Sequence, residues 1–201
     1  MRLLGISGSV SKSSSTRTAV ARALTGAAKS SDEVETELLH LGEYDIATAD
    51  GRQLSEYDGD TATVLSTIIE SDAYVIGTPV YRASYSGLLK NVFDLIPRGQ
   101  WQADVAPLEN AAVGLIATGA SYHHYLAIDT SLRPITAFFG AHAVGGGLYA
   151  HNDHFVDADD GGYHVTDKEI ADRLETLGKA TVELAEAIDS SHALASIGPQ
   201  I

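Results

Sequence analysis

The chain has 201 residues, 44% of them hydrophobic, enough for one compact domain with a sizeable core and too apolar for disorder to be the default. It contains no Cys, which excludes disulfides, thiolate metal sites and Cys nucleophiles and makes a cytoplasmic location the natural expectation. A net charge of −14, from 27 acidic against 13 basic residues, argues against a nucleic-acid binder, which needs a basic footprint.

In chain order the sequence alternates strands and helices. Arg2–Ser7 reads as a first strand, entered without the basic stretch and long apolar core of a signal peptide. Ser14–Lys29 follows as a helix, with Val20, Ala23, Leu24 and Ala27 on one face. Val34–Leu41 is a second strand, and Tyr44–Gly59, rich in Asp and Gly, is a loop. Asp60–Ser71 is a helix carrying Val64, Leu65, Ile68 and Ile69. Ala73–Thr78 is a buried third strand and Ser86–Ile96 a third helix, with Leu88, Leu89, Val92, Phe93 and Ile96 on one face. A longer loop over 97–110 holds Trp101. Ala111–Thr118 is a fourth strand, followed by a helix from about Tyr125 to Phe139. Ala143–Ala150 is a fifth strand, weakened by Gly145-Gly-Gly147. Thr166–Ile188 is a long last helix, opened by a capping box of Thr166 and Glu169. Residues 1–189 form one domain in this reading, and 190–201 are a flexible tail.

Five strands alternating with five helices imply an α/β fold with a parallel sheet covered on both faces. No run approaches the roughly 18 apolar residues of a membrane span. In a doubly wound sheet of order 2-1-3-4-5, the ends of strands 1, 3 and 4 are neighbours around a switch point, where such sheets bind ligands. Three loops would converge there. The first, Gly8 to Arg17, holds five Ser and one Thr before a helix N-terminus; Ser9, Ser14, Ser15 and Thr16 are its candidate phosphate ligands. Taken alone, a flexible Ser-rich loop with one N-cap accounts for the same residues. The second holds Pro79, Val80, Tyr81, Arg82 and Ser84, suited to a planar heteroaromatic ligand, although an ordinary strand-to-helix connection would look the same. The third is Thr118, Gly119, Ala120 and Ser121, where Gly119 permits close backbone approach and Ser121 offers a hydroxyl.

Neither Gly-x-x-x-x-Gly-Lys-Ser/Thr nor Gly-x-Gly-x-x-Gly is present, so the loop suits a mononucleotide better than a P-loop or dinucleotide fingerprint would. His151-Asn-Asp-His154, with Asp157 and His164, has short metal-like spacing, but a polar loop in an acidic chain gives this pattern by chance and no metal site is assigned. No Ser–His–Asp set sits in a nucleophile elbow.

The motifs Gly8-Ser9 with Ser14-Ser-Thr16, Thr78-Pro-Val-Tyr-Arg-Ala-Ser-Tyr-Ser-Gly-Leu-Leu-Lys90 with Asp94-Leu-Ile-Pro97, and Ala117-Thr-Gly-Ala-Ser121 running on to Leu126-Ala-Ile-Asp129 and Leu132-Arg-Pro134 together resemble the NAD(P)H-dependent FMN reductases of the flavodoxin-like superfamily. The likeness is to the branch that supplies reduced flavin to sulfonate monooxygenases. It implies a flavodoxin-like fold, FMN as cofactor, NADPH or NADH as hydride donor, and a homodimer or homotetramer with a monooxygenase as partner. It implies that Ser9, Ser14, Ser15 and Thr16 hold the FMN phosphate. Pro79, Val80, Tyr81, Arg82 and Ser84 would line the flavin, and Thr118 to Ser121 would meet its ring edge. No catalytic side chain is assigned, since the chemistry belongs to the cofactor. Two departures stand out. Ser11 replaces an Arg of many relatives, leaving Arg17 or Lys12 to supply positive charge. Thr130 is not the aromatic residue found near that position in some flavin-releasing members, which favours resident FMN. A quinone or azo reductase on the same fold, and a flavodoxin-like electron carrier, are the alternatives. The acidic composition is a lever used in high-salt organisms, and a haloarchaeal source is expected.

Overall fold

The computed structural model describes residues 1–99, 103–159 and 161–198, so Trp101 lies outside the described residues. Its sheet is built from β1 (Arg2–Ser7), β2 (Glu35–His40), β3 (Ala73–Pro79), β4 (Ala112–Gly119) and β5 (His142–Ala143), parallel throughout and in the order β2-β1-β3-β4-β5. A further strand, β6 (Leu148–His151), pairs parallel with β4 beyond β5. The helices are α1 (Ser15–Ala28), α2 (Gly59–Ile69), α3 (Gly87–Leu95), α4 (Arg133–Phe138), α5 (Lys168–Asp189) and α6 (His192–Ser196). Among the described residues no helix is long and apolar enough to cross a membrane.

Strand alternation divides the core in two. Leu3, Ala73, Val75, Ala112 and Ile116 face one side, where α1 brings Val20, Ala23 and Leu24, and α5 brings Leu174, Leu177 and Val182. Leu4, Ile6, Tyr74, Ile76, Val113 and Leu115 face the other, against Val64 and Ile68 of α2 and Leu89, Val92 and Phe93 of α3. A sheet covered on both faces explains the continuous apolar runs of β3 and β4. Helices α1 and α5 meet at two glycines. A Cβ on Gly26 would lie 2.1 Å from the Glu175 carbonyl oxygen, and one on Gly178 would lie 1.9 Å from that of Ala23. The two backbones therefore touch directly.

Four expectations need correction. The helix expected over Tyr125–Phe139 is broken into a short turn at Tyr122–His124, a wide turn at Ile128–Leu132, and α4. Pro134 in the first turn of α4 has no N–H to continue an α-helical ladder from the preceding segment, and Arg133 N–H reaches back five residues to Ile128 O. The single fifth strand is split into β5 and β6. Between them Gly145-Gly-Gly147 brings no side chains to pack, and the Arg133 guanidinium takes the carbonyls of Val144 and Gly145 at 3.1 and 3.0 Å. The last helix is capped by Asp167, whose carboxylate accepts from Ile170 N–H at 2.9 Å, and not by Thr166. Thr166 is instead held by its N–H to His154 O. That bond closes an antiparallel hairpin of β7 (Phe155–Asp157) and β8 (Tyr163–Val165), whose strands are too short to read from the sequence although Asp160-Gly161-Gly162 lies between them. The segment after Asp189, read as a tail, contains α6, and His142 Nε2 lies 2.9 Å from Leu194 O.

Candidate active site

The carboxyl ends of β1, β3 and β4 open onto a cavity of about 480 Å3, within the range of small-molecule sites. Ser9, Ser14, Ser15 and Thr16 line it from the first loop, Pro79, Val80 and Tyr81 from the second, and Thr118, Gly119, Ala120 and Ser121 from the third. The cavity wall does not include Arg82 or Ser84. It does include Ser11, Ser13, His124, Asn152, Phe155 and Tyr163, none of which was assigned from the sequence. The last three come from the segment around the β7–β8 hairpin, so missing that hairpin meant missing that wall.

Each loop is fixed by bonds to another. In the first, the Ser14 hydroxyl caps α1 by accepting from Arg17 N–H at 3.2 Å, leaving the N–H groups of Ser15 and Thr16 without acceptors inside the helix. Ser15 and Thr16 line the cavity, so the first turn of α1 and the positive end of its dipole stand at the cavity wall, the arrangement that binds phosphate. The Thr16 and Thr118 hydroxyls lie 2.6 Å apart in full burial, tying the first loop to the third. Ser86, the α3 cap, donates its hydroxyl to Gly8 O at 2.5 Å and accepts from Leu89 N–H, tying the first loop to the second. Val80 N–H donates to Thr118 O at 2.8 Å, tying the second to the third.

Behind the first loop stands His40, buried at the end of β2. Its Nδ1 lies 3.1 Å from the Ser7 hydroxyl and its Nε2 3.0 Å from Ser11 O. Burial pushes the imidazole below its ordinary pKa, against the opposing pull of the Ser11 carbonyl. The neutral ring thus braces the serine loop. Its signal in the sequence was a lone His ending an otherwise ordinary strand.

In the second loop, Tyr81 and Ser84 pair across a two-residue turn, with N–H to O distances of 2.9 and 3.2 Å. Its central residues, Arg82 and Ala83, have φ of 53° and 66°, in the left-handed region where a non-glycine residue costs about 1–3 kcal/mol. The turn leaves Tyr81 half exposed and Arg82 exposed. Such strain persists where surrounding structure over-determines it, typically at ligand sites.

In the third loop, Gly119 has no room for a side chain, since a Cβ would lie 2.7 Å from Tyr149 Oη. That hydroxyl donates to Ser121 O at 2.7 Å and holds the loop, and burial raises its pKa. Close by, His124 Nδ1 is buried and, among the described residues, has no hydrogen-bond partner. An orphaned ring nitrogen in a cavity wall is a group that a ligand's polar edge would satisfy. His151 and His154 serve as caps: His151 Nδ1 accepts from Asp153 N–H and His154 Nδ1 from His151 N–H. The Tyr122 ring stacks on His151 at 4.2 Å.

The cavity wall holds no Lys or Arg among the described residues. Arg17 pairs with Glu43 at 2.7 Å, and Lys12 faces a neighbouring cavity. An anion in the first cavity is therefore met by hydroxyls, backbone N–H groups and the helix dipole. These features fit FMN: a hydroxyl and amide cradle for its phosphate, flat apolar Pro79 and Tyr81 for its rings, and a close-approach glycine beside an unsatisfied imidazole for its polar edge.

Comparison with known proteins agrees with this fit. A family model described as NADPH-dependent FMN reductase matches residues 1–155. A Geobacillus thermodenitrificans protein named NAD(P)H-dependent FAD/FMN reductase is 37% identical, over 94% of this chain and 96% of its own length. The NADH-dependent FMN reductase SfnF of Pseudomonas fluorescens is 35% identical over 75% of this chain and 74% of its own. The fold is shared with a crystal structure of NADH:FMN oxidoreductase (EMOB) in its apo form, at a TM-score of 0.71 and 23% identity, covering 96% of this chain and 92% of that one.

Proposed function

The chain belongs to the NADPH-dependent FMN reductase family, an NAD(P)H-dependent flavin oxidoreductase, and on that premise we propose which of its residues hold the cofactor and its partners. Ser9, Ser14, Ser15 and Thr16 hold the FMN phosphate; Pro79, Val80 and Tyr81 support the rings; Thr118, Gly119, Ala120 and Ser121 meet the ring edge. Bound FMN supplies the hydride acceptor. The chain's residues position it, exclude water from one face, and leave Tyr81 beside the approach of the nicotinamide. Arg82 and Ser84 act from the strained turn, Arg82 as an exposed cation for a phosphate of the nicotinamide cofactor. The convergence of all three loops on one cavity carries this assignment.

The reading extends to a homodimer or homotetramer. Tyr122, Tyr125, Leu126 and Phe138 are large side chains exposed by 61, 59, 47 and 57%, apolar surface that a two-fold partner would cover. A monooxygenase that consumes the reduced flavin, a cytoplasmic location and a high-salt host complete it, the last two supported by the absence of Cys and the net charge of −14. Titration of the protein with FMN in molar salt, followed by light scattering on the loaded sample, tests both parts. One FMN per chain on a particle of two or four chains is expected. Absence of FMN binding overturns the site, and a lone 21.2 kDa species overturns the assembly.

A further inference from the structure

The cavity assigned to the flavin and the neighbouring one share Ser13, Ser14 and Tyr163 in their walls. Two of these belong to the serine loop, so Tyr163 stands at the N-terminal turn of α1, the end proposed above for the phosphate. The β7–β8 hairpin is seated there by the Thr18 hydroxyl, which lies 3.3 Å from both Ser14 O and Tyr163 O and joins β8 to the turn that Ser14 caps. Along β8, Tyr163 and Val165 are partly buried and His164 between them is exposed. The Tyr163 ring packs edge-on against Phe155, with centroids 6.4 Å apart, on the side of the core shared by α1 and α5. The tip of that side chain is left over. Among the described residues the Tyr163 hydroxyl has no hydrogen-bond partner, and it is not buried, so it is open to a ligand.

We propose that Tyr163 is a specificity-determining residue of the flavin site: its phenolic O–H donates to the FMN phosphate and selects phosphorylated flavin over riboflavin. The proposal rests on the flavin reading of the first cavity. A phosphate held at Ser14 and Ser15 lies in a wall without Lys or Arg among the described residues, so neutral donors must meet its charge. A phenol there adds an O–H donor to an anion, which belongs to the stronger class of hydrogen bonds. The ring is already held against Phe155, so little freedom is lost when the hydroxyl bonds. Tyr163 also lies beyond residue 155, where the match to the family model ends. The contact is therefore supplied by a part of the chain that the family model does not cover.

The test is binding in molar salt, read by flavin fluorescence and independent of turnover. Wild type and Tyr163→Phe are each titrated with FMN and with riboflavin, which carries the same rings and ribityl chain without the phosphate. Phe keeps the ring and its contact with Phe155, so only the hydroxyl is lost. Tyr163→Phe is expected to lose about tenfold or more in FMN affinity, the worth of one hydrogen bond to a charged group, while riboflavin affinity stays within about twofold. Unchanged FMN affinity would mean that Tyr163 only packs, and equal weakening of both flavins would mean that it supports the rings. Either result overturns the proposal while the flavin site stands. If wild type binds neither flavin, the flavin site falls and the proposal falls with it.

Discussion

Ser15 sits where two effects of one substitution point in opposite directions. Glu at the first position of α1 places negative charge at the positive end of a helix, worth about 0.3–1 kcal/mol of stability. It also places that charge where the flavin phosphate is held. At an effective dielectric near 20, two unit charges about 4 Å apart repel by roughly 4 kcal/mol, nearly three decades in affinity. Ser15→Glu should therefore melt no lower than wild type and bind FMN several hundredfold more weakly; unchanged FMN affinity would remove the phosphate assignment. His40 gives a second residue-scale expectation. Its folded pKa lies below the ordinary value of about 6.5, so between the two the unfolded chain binds the extra proton. The contribution of neutral His40 is complete above pH 6.5 and is lost as pH falls through that window. Arg17 and Glu43 are the charged groups acting on it, in opposite senses. Urea unfolding at neutral and mildly acidic pH should show wild type losing more stability than His40→Asn. Equal losses would mean that His40 does not brace the serine loop in its neutral form.

Among the elements, the contact of α1 with α5 is set by Gly26 and Gly178. In an isolated helix Gly178→Ala is favourable by about 1 kcal/mol. Here the new methyl would meet the Ala23 carbonyl at 1.9 Å, backbone against backbone, and the helices must part. Overpacking should win, with a net loss of about 3 kcal/mol in chemical denaturation; a neutral or stabilising result would refute the close packing. This pair also shows what a sequence does and does not make legible. The apolar stripe of α1 at Val20, Ala23, Leu24 and Ala27 announces a buried helix, because periodicity reports which face meets a core. It does not report what that face meets, so the glycines carried no message until α5 lay across them. The strands β1, β3 and β4 were legible from continuous apolar runs, and with them the three loops at their ends. The hairpin of β7 and β8 was only half legible: Asp160-Gly161-Gly162 signals a turn, but its strands are three residues long and its outer positions exposed, too short a pattern to read as strands. Asn152, Phe155 and Tyr163 went unassigned for that reason. Arg82 and Ala83 were equally silent, since neither residue type signals a positive φ.

For the whole molecule, the order β2-β1-β3-β4-β5 decides where chemistry happens, because it brings the ends of β1, β3 and β4 side by side. The acidic surface decides the conditions: at −14 the molecule repels itself, and salt screens that repulsion, so functional measurements belong at high ionic strength. The central claim is that this arrangement passes hydride from a nicotinamide to FMN. Direct transfer needs the two reacting atoms roughly 3–3.5 Å apart, hence one flavin face open beside Tyr81. The most direct test is anaerobic mixing of the FMN-loaded protein with NADPH, and separately with NADH, in molar salt. The account predicts that at least one bleaches the flavin absorbance at about 450 nm, a property of the cofactor itself. Bleaching by dithionite but by neither nicotinamide would contradict it, and would leave a flavodoxin-like electron carrier in its place.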